Sequence, residues 1–412
     1  SPPTILLADD LAPAETVGLD PELVVGIATA GGGPTSHTAI LAAQLGIPAV
    51  VKAKGVMELE AGTLVAIDGG AGEVIANPTA DEVAELEERA RRREAALAQS
   101  VGAGKTADGY PVNLLANIGT AEDGESAAAQ DNEGTGLFRT EFLFLDRDKA
   151  PSLEEQTETY TRVLKAFGER RVVVRTLDAG ADKPLSFADL GEEENPALGR
   201  RGLRLSQARE DLLDTQLDAL AAAFDATGRK ADLRVMAPMI ATVEETKWFA
   251  DRARERGLPK VGIMIEVPAA AIRAKQLLSI VDFASIGTND LSQYTMAADR
   301  MQGALADLLS PWQPAVLQMI KSACKGGNAT GKPISVCGEA GGDPLLALVL
   351  VGLGVSSLSM ASKKVPAVRA ALRLHDRATC QQMAAYAVDA ETAADAKAAV
   401  TALVDPKVKD LL

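Results

Sequence analysis

Five short apolar runs alternate with Gly and Pro along the first 77 residues: Ile5–Ala8, Leu23–Ala28, Pro48–Val51, Leu64–Asp68 and Val74–Ala76. Runs of this length between turn residues read as strands. One stretch among them, Ser36–Leu45, places Ile40, Leu41 and Leu45 on one helical stripe and predicts a helix. The pattern then changes. Thr79-Ala80-Asp81-Glu82 has the form of a capping box, and a highly polar segment follows it to about Ala98. Glu85/Arg89 and Glu88/Arg92 stand at i,i+4 spacing along it. So charged a helix cannot sit in a core, so it predicts an exposed connector, closed by Gly102 and Gly104.

From about Ala107 the chain alternates apolar strand runs with amphipathic helical stretches, one of them opened by a second capping box, Ser152 to Glu155. The strand candidates are Pro111–Asn117, Gly134–Phe138, Arg171–Leu177, Leu233–Pro238, Lys260–Glu266, Asp282–Gly287, Pro333–Cys337 and Val355–Met360. Eight such runs over roughly 300 residues predict a (β/α)8 TIM barrel, with a doubly wound open sheet as the alternative. The expected organisation is therefore α/β throughout: a small domain over 1–77, a helical linker over 78–106, and a barrel over 107–412.

Composition narrows the function. The chain of 412 residues is 47% hydrophobic but only 3% aromatic, so the core must be built from Ala, Val, Leu and Ile. No apolar run is long enough to span a membrane, and the start lacks the basic and apolar segments of a secretory signal. The net charge of -15, without a basic stripe, argues against nucleic-acid binding. Three cysteines without framework spacing fit a reducing cytoplasm. Of these, Cys324 and Cys380 read as structural. Only two histidines, His37 and His375, are present. His375 lies in a charged helical stretch and is expected at the surface.

Barrel enzymes carry their chemistry at the C-terminal ends of the strands. Here those ends run into Asn117, Arg139, Arg175, Glu266, Thr288-Asn289-Asp290 and Cys337-Gly338-Glu339. Arginine forks match phosphate and carboxylate oxygens. Glu266 and Asp290, on neighbouring strands, are hard oxygen donors of the kind Mg²⁺ takes, its shell completed by substrate oxygens and water. The set suits a small, multiply anionic, phosphate-bearing substrate. A second constellation is Gly31-Gly32-Gly33-Pro34-Thr35-Ser36-His37, a glycine-rich loop that runs into the predicted helix. His37 falls in the first turn, where free backbone amides and the helix dipole favour an anion.

The run Gly33-Pro34-Thr35-Ser36-His37-Thr38-Ala39-Ile40 resembles the phosphohistidine signature shared by the enzymes that use phosphoenolpyruvate (PEP): enzyme I of the sugar phosphotransferase system, pyruvate phosphate dikinase and PEP synthase. The barrel runs Gly136-Leu137-Phe138-Arg139-Thr140-Glu141-Phe142-Leu143, Ile263–Ala269, Gly287-Thr288-Asn289-Asp290-Leu291 and Val336-Cys337-Gly338-Glu339 resemble the same family. Within it the segment Leu7–Pro13, the run Arg175–Lys183, and Glu193–Gly199 followed by Arg201 resemble enzyme I most. The resemblance covers essentially the whole chain. It implies a swivelling phosphohistidine domain and a PEP-binding barrel. It also implies that Arg139, Arg175 and Arg300 hold PEP with Asn289 and Asp290, that Lys183 and Arg201 help at the pocket edge, and that Glu266 and Asp290 bind Mg²⁺. His37 would take the phosphoryl group, Cys337 would protonate the enolate to give pyruvate, and the barrels would pair as a homodimer.

This sequence departs from the family at two positions beside the histidine. Pro34 and Ala43 stand where the family carries Arg, which predicts a weaker hold on the phosphoryl group. The helical subdomain with which enzyme I docks its histidine-containing carrier protein, HPr, would lie before Ser1. A piece of enzyme I without that subdomain is therefore expected, one that passes phosphate to HPr poorly or not at all. A dikinase or synthase fragment, or a non-catalytic PEP sensor, are the alternatives.

Overall fold

In a computed structural model, which describes residues 2–11, 18–32, 37–180 and 184–412, with the backbone alone for His37, Ala43 and Gln44, the first strands form a small parallel sheet. Its order is β1 (Thr4–Ala8), β2 (Val24–Thr29), β3 (Ala49–Val50). Helix α1 (His37–Leu45) connects β2 to β3. β4 (Val65–Asp68) and β5 (Glu73–Ala76) make a separate antiparallel ladder. Ala28, Val50 and Val56, packed against Leu7, Ile67 and Val74, form a small aliphatic core.

Helix α2 (Ala80–Ala98) starts at the capping box expected from Thr79. The Glu82 N–H donates to Thr79 Oγ1 at 3.1 Å, and the Thr79 N–H donates to Glu82 Oε1 at 3.0 Å. None of its residues is buried. Arg89 pairs with Glu85 as its spacing suggests and also reaches Asp68 at the end of β4, both at 2.9 Å. Glu88 takes Arg91, three residues on, and not Arg92; both positions share its face of the helix.

The remaining strands close into a parallel barrel: β6 (Asn113–Ile118), β7 (Gly134–Arg139), β8 (Arg171–Arg175), β9 (Asp232–Ala237), β10 (Lys260–Ile265), β11 (Phe283–Ile286), β12 (Ile334–Val336) and β13 (Ser357–Met360). The last strand returns to the first, from Ser357 opposite Asn113 to Met360 opposite Ala116. That closure excludes the open sheet. Leu137, Val173, Met236, Met264, Phe283 and Cys337 fill the interior. An aliphatic layer lies between strands and outer helices, burying Val172, Val174, Leu217, Val235, Ile263 and Leu346 among others. With so few aromatics, tight helix approaches substitute for bulk. A Cβ on Gly352, in the helix Pro344–Leu353, would lie 2.0 Å from the Cys380 carbonyl oxygen.

His375 is a correction to the surface placement. It is buried, with Nδ1 2.8 Å from the Ala371 carbonyl and Nε2 accepting the Asp405 N–H at 3.0 Å. It ties a helix end to the C-terminal segment. Cys324 and Cys380 are buried as expected. No helix among the described residues is long and apolar enough to cross a membrane.

The small sheet domain meets the barrel at loops that follow barrel strands. Lys52 pairs with Asp307, in the turn Gly303–Leu309. Gly46, just past α1, faces Lys363, which follows β13; a Cβ there would lie 3.0 Å from the lysine stem.

Candidate active site

The register of the barrel sets two arginines side by side, since Arg139 and Arg175 are partners across β7 and β8. Both end their strands at the C-terminal rim, the mouth of the barrel. Arg175 is buried. Its Nη2 donates to Glu141 Oε1 at 2.6 Å, and Nη1 lies 3.5 Å from Asp178 Oδ2. Burial opposes its charge, but Glu141, Asp178 and Glu266 outweigh burial and keep it a cation. Its Nε is buried with no hydrogen-bond partner among the described residues. Arg139 is half-buried, with Nη2 3.9 Å from Glu339 Oε1.

Arg201 joins them from the segment after β8. Nη1 donates to Asp290 Oδ1 at 3.0 Å, Nη2 lies 3.3 Å from both oxygens of Asp178, and the Tyr294 hydroxyl is 3.4 Å away. Its Nε is also buried, with no partner among the described residues. Arg300 approaches Asp290 Oδ1 at 3.6 Å.

Asp178, Glu266 and Asp290 are all buried, with one carboxylate oxygen of each within 4.8 Å of the others. Glu266 follows β10, and its Oε1 accepts the Met239 N–H at 3.0 Å. Gly287 makes room for it, because a Cβ there would lie 2.9 Å from Glu266 Oε2. Burial, then the charges of Asp290 and Asp178, push the Glu266 carboxyl well above the usual range. For Asp290 burial acts in the same direction, but Arg201 and Arg300 win and hold its carboxyl below the ordinary value. Three hard oxygen donors, buried close enough to repel one another, form a donor set that fits a divalent cation such as Mg²⁺.

Cys337 follows β12 and is 1% exposed. Its Sγ is 3.6 Å from the Ile286 carbonyl. Burial pushes the thiol up to about 11, so it stays protonated at neutral pH. Its own carbonyl accepts Asn117 Nδ2 at 3.0 Å, and Ser359 donates to Asn117 Oδ1 at 2.6 Å. The mouth thus gathers cations suited to an anionic substrate and a carboxylate cluster suited to a metal, with a buried, protonated thiol at the end of β12.

Of the residues singled out from sequence, Arg139, Arg175, Arg201, Glu266, Asp290, Arg300 and Cys337 meet at this rim. Asn289 is half-buried beside Asp290, in the first turn of the helix Thr288–Met296. Lys183 and Pro34 lie outside the described residues, as do the side chains of His37 and Ala43. The His37 backbone opens α1. Sequence reasoning missed Asp178 as a third carboxylate and Glu141 as the direct partner of Arg175. Asp178 stands three residues after Arg175 in a run already singled out, and that spacing was the available signal.

Comparison with known proteins agrees with this geometry. The family described as PEP-utilising enzyme, PEP-binding domain, matches residues 93–377, and PEP-utilising enzyme, mobile domain, matches residues 1–72. A phosphoenolpyruvate-protein phosphotransferase of Streptomyces coelicolor is 53% identical over 404 residues, covering 98% of this chain and 72% of that protein. One of Haloferax volcanii is 43% identical over 410 residues, covering 95% and 71%. A multiphosphoryl transfer protein of Xanthomonas campestris is 44% identical over 407 residues, covering 96% of this chain and 48% of that longer protein. A parallel barrel with paired arginines and a buried carboxylate trio at its rim, together with these identities, places the chain among the PEP-utilising enzymes, in the family of the phosphoenolpyruvate-protein phosphotransferases.

Proposed function

We propose that the chain transfers the phosphoryl group of PEP to His37 and releases pyruvate. The observation that carries this reading is the rim itself, where Arg139, Arg175 and Arg201 surround the carboxylates of Asp178, Glu266 and Asp290 next to a protonated Cys337. Arg139 and Arg175 hold the phosphate of PEP, Arg300, Asn289 and Asp290 complete its hold, and Lys183 and Arg201 stand at the pocket edge. Glu266 and Asp290, joined by Asp178, would hold Mg²⁺. Such a cation, when bound, neutralises charge on the substrate oxygens. Positioning and charge neutralisation are most of what phosphoryl transfer requires. A ring nitrogen of His37 attacks phosphorus in line, so that an N–P bond forms as the P–O bond to enolpyruvate breaks. The thiol of Cys337 then delivers its proton to the methylene carbon. The thiolate left behind is favoured by the positive charges of Arg175 and Arg139.

This reading includes the domain assignment expected from sequence: 1–77 carries the histidine, 78–106 is the linker, and 107–412 binds PEP and pairs with a second barrel. The chain acts in the cytoplasm, and phosphohistidine passes its group to HPr in a protein that also carries the docking subdomain. Intact mass after incubation with PEP and Mg²⁺ tests the core of it. A phosphoryl adduct and released pyruvate are expected for the parent chain, and no adduct for His37→Ala. PEP binding without any adduct on the parent would overturn transfer and leave a sensor.

A further inference from the structure

Gln216 lies outside the mouth, on the outer helix Glu210–Ala226, and its side chain is fully buried. Its carboxamide bridges two strand ends. Oε1 accepts the Leu177 N–H at 2.8 Å, while Nε2 donates to Thr140 Oγ1 at 2.9 Å and to the Tyr160 hydroxyl at 3.1 Å. Both hydroxyls pass the chain on. Thr140 donates to the Arg175 carbonyl at 2.7 Å, and Tyr160 donates to Gln156 Oε1 at 2.8 Å. Every direction in this network is fixed, so the amide has one orientation available to it.

The two anchor points matter because of what flanks them. Thr140 stands between Arg139 and Glu141. Leu177 stands between Arg175 and Asp178, one residue removed from the first. One amide therefore fixes the separation of the two segments that supply both phosphate-facing arginines, the partner of Arg175 and one member of the carboxylate trio. We infer that Gln216 is a positioning residue for the PEP and metal site, acting through the backbone of the β7 and β8 ends without touching substrate. The inference rests on the PEP-binding reading of the mouth.

The test uses the whole chain and Gln216→Met, which keeps volume and removes the amide. Thr140→Val and Thr140→Ser, which remove and keep the hydroxyl, accompany it. Three quantities are read well below the melting temperature: the KM for PEP in phosphoryl uptake, the affinity for Mn²⁺ from water-proton relaxation, and Tm itself. Gln216→Met and Thr140→Val are each expected to raise KM about tenfold and weaken Mn²⁺ binding by a similar factor, the range seen when groups behind metal ligands are lost. The double variant should be no worse than the worse single one, and Thr140→Ser should stay within about twofold of the parent, as expected for a shared network. Thr140→Val, an isosteric change, decides the matter should Gln216→Met not fold. KM and Mn²⁺ affinity within twofold of the parent, with only Tm lowered, would overturn the inference. A parent chain that takes no phosphoryl group from PEP counts against the wider reading, and the Mn²⁺ measurement then judges Gln216 alone.

Discussion

Cys337, Cys324 and Cys380 all keep their protons because burial disfavours a thiolate, which pushes them up to about 11, 12 and 12. In the unfolded chain a thiol titrates near 8.5. Above that value the unfolded state sheds protons that the folded state retains, so stability is flat below about pH 8.5 and falls toward pH 11–12. Urea titrations at pH 7 and pH 10 are expected to show this loss, and a Cys324→Ala/Cys380→Ala variant should show a shallower one. An unchanged slope would mean that other groups govern alkaline unfolding. Residue identity was legible in sequence where it coincided with a strand end, as for Arg139, Arg175 and Glu266. It was not legible for His375, whose ring is claimed by the Asp405 amide thirty positions on. Polar neighbours in sequence said nothing of that partner. Nor could sequence show that Glu141 would turn inward to meet Arg175, since the two are joined only by the register of β7 against β8.

At the scale of elements, periodicity located all eight barrel strands, because apolar runs bounded by turn residues survive any tertiary rearrangement. What it could not supply was the approach of one strand end to the next. Gly287 illustrates this. Its backbone is extended and tolerates any residue, so its role is spatial: it leaves the volume occupied by Glu266. Gly287→Ala should therefore fold and yet push Glu266 out of the carboxylate cluster. Mn²⁺ affinity is expected to fall about tenfold or more, within the range for disturbed metal surroundings, while the urea midpoint moves little. Unaltered Mn²⁺ binding would place the metal elsewhere. The capping boxes at Thr79 and Ser152 were legible in sequence because both hydrogen bonds of each lie within four consecutive residues.

For the whole molecule, the contact between the small domain and the barrel is, among the described residues, slight where it is ionic. Lys52 and Asp307 are 43% and 89% exposed, and exposed pairs of this kind contribute about 0–1 kcal/mol. An ionic contact so weak would be left and regained easily, as the proposed carriage of phosphate by the small domain requires. Lys52→Glu, which replaces attraction by repulsion, is accordingly expected to leave Tm unchanged and to slow phosphoryl uptake from PEP by less than about tenfold. A complete loss of uptake would make this contact an obligatory docking point. The acidic surface implied by the net charge of -15 bears on partners in the same way: a basic face on a carrier would be drawn to it, more strongly at low salt.

The ring formed when β13 pairs with β6 has a consequence for how the chain is made. At roughly 5–20 residues per second, a ribosome takes on the order of ten to forty seconds to travel from Asp178 to Met360. Throughout that interval β6 waits with an unpaired edge, and the carboxylates of Asp178, Glu266 and Asp290 have no finished rim to converge on. Newly made chains are thus exposed to edge-to-edge association until the last strand, β13, has emerged. Chaperone demand should fall mainly in that window, and chains halted before residue 360 should be recovered as aggregate or chaperone complex, without metal-binding capacity.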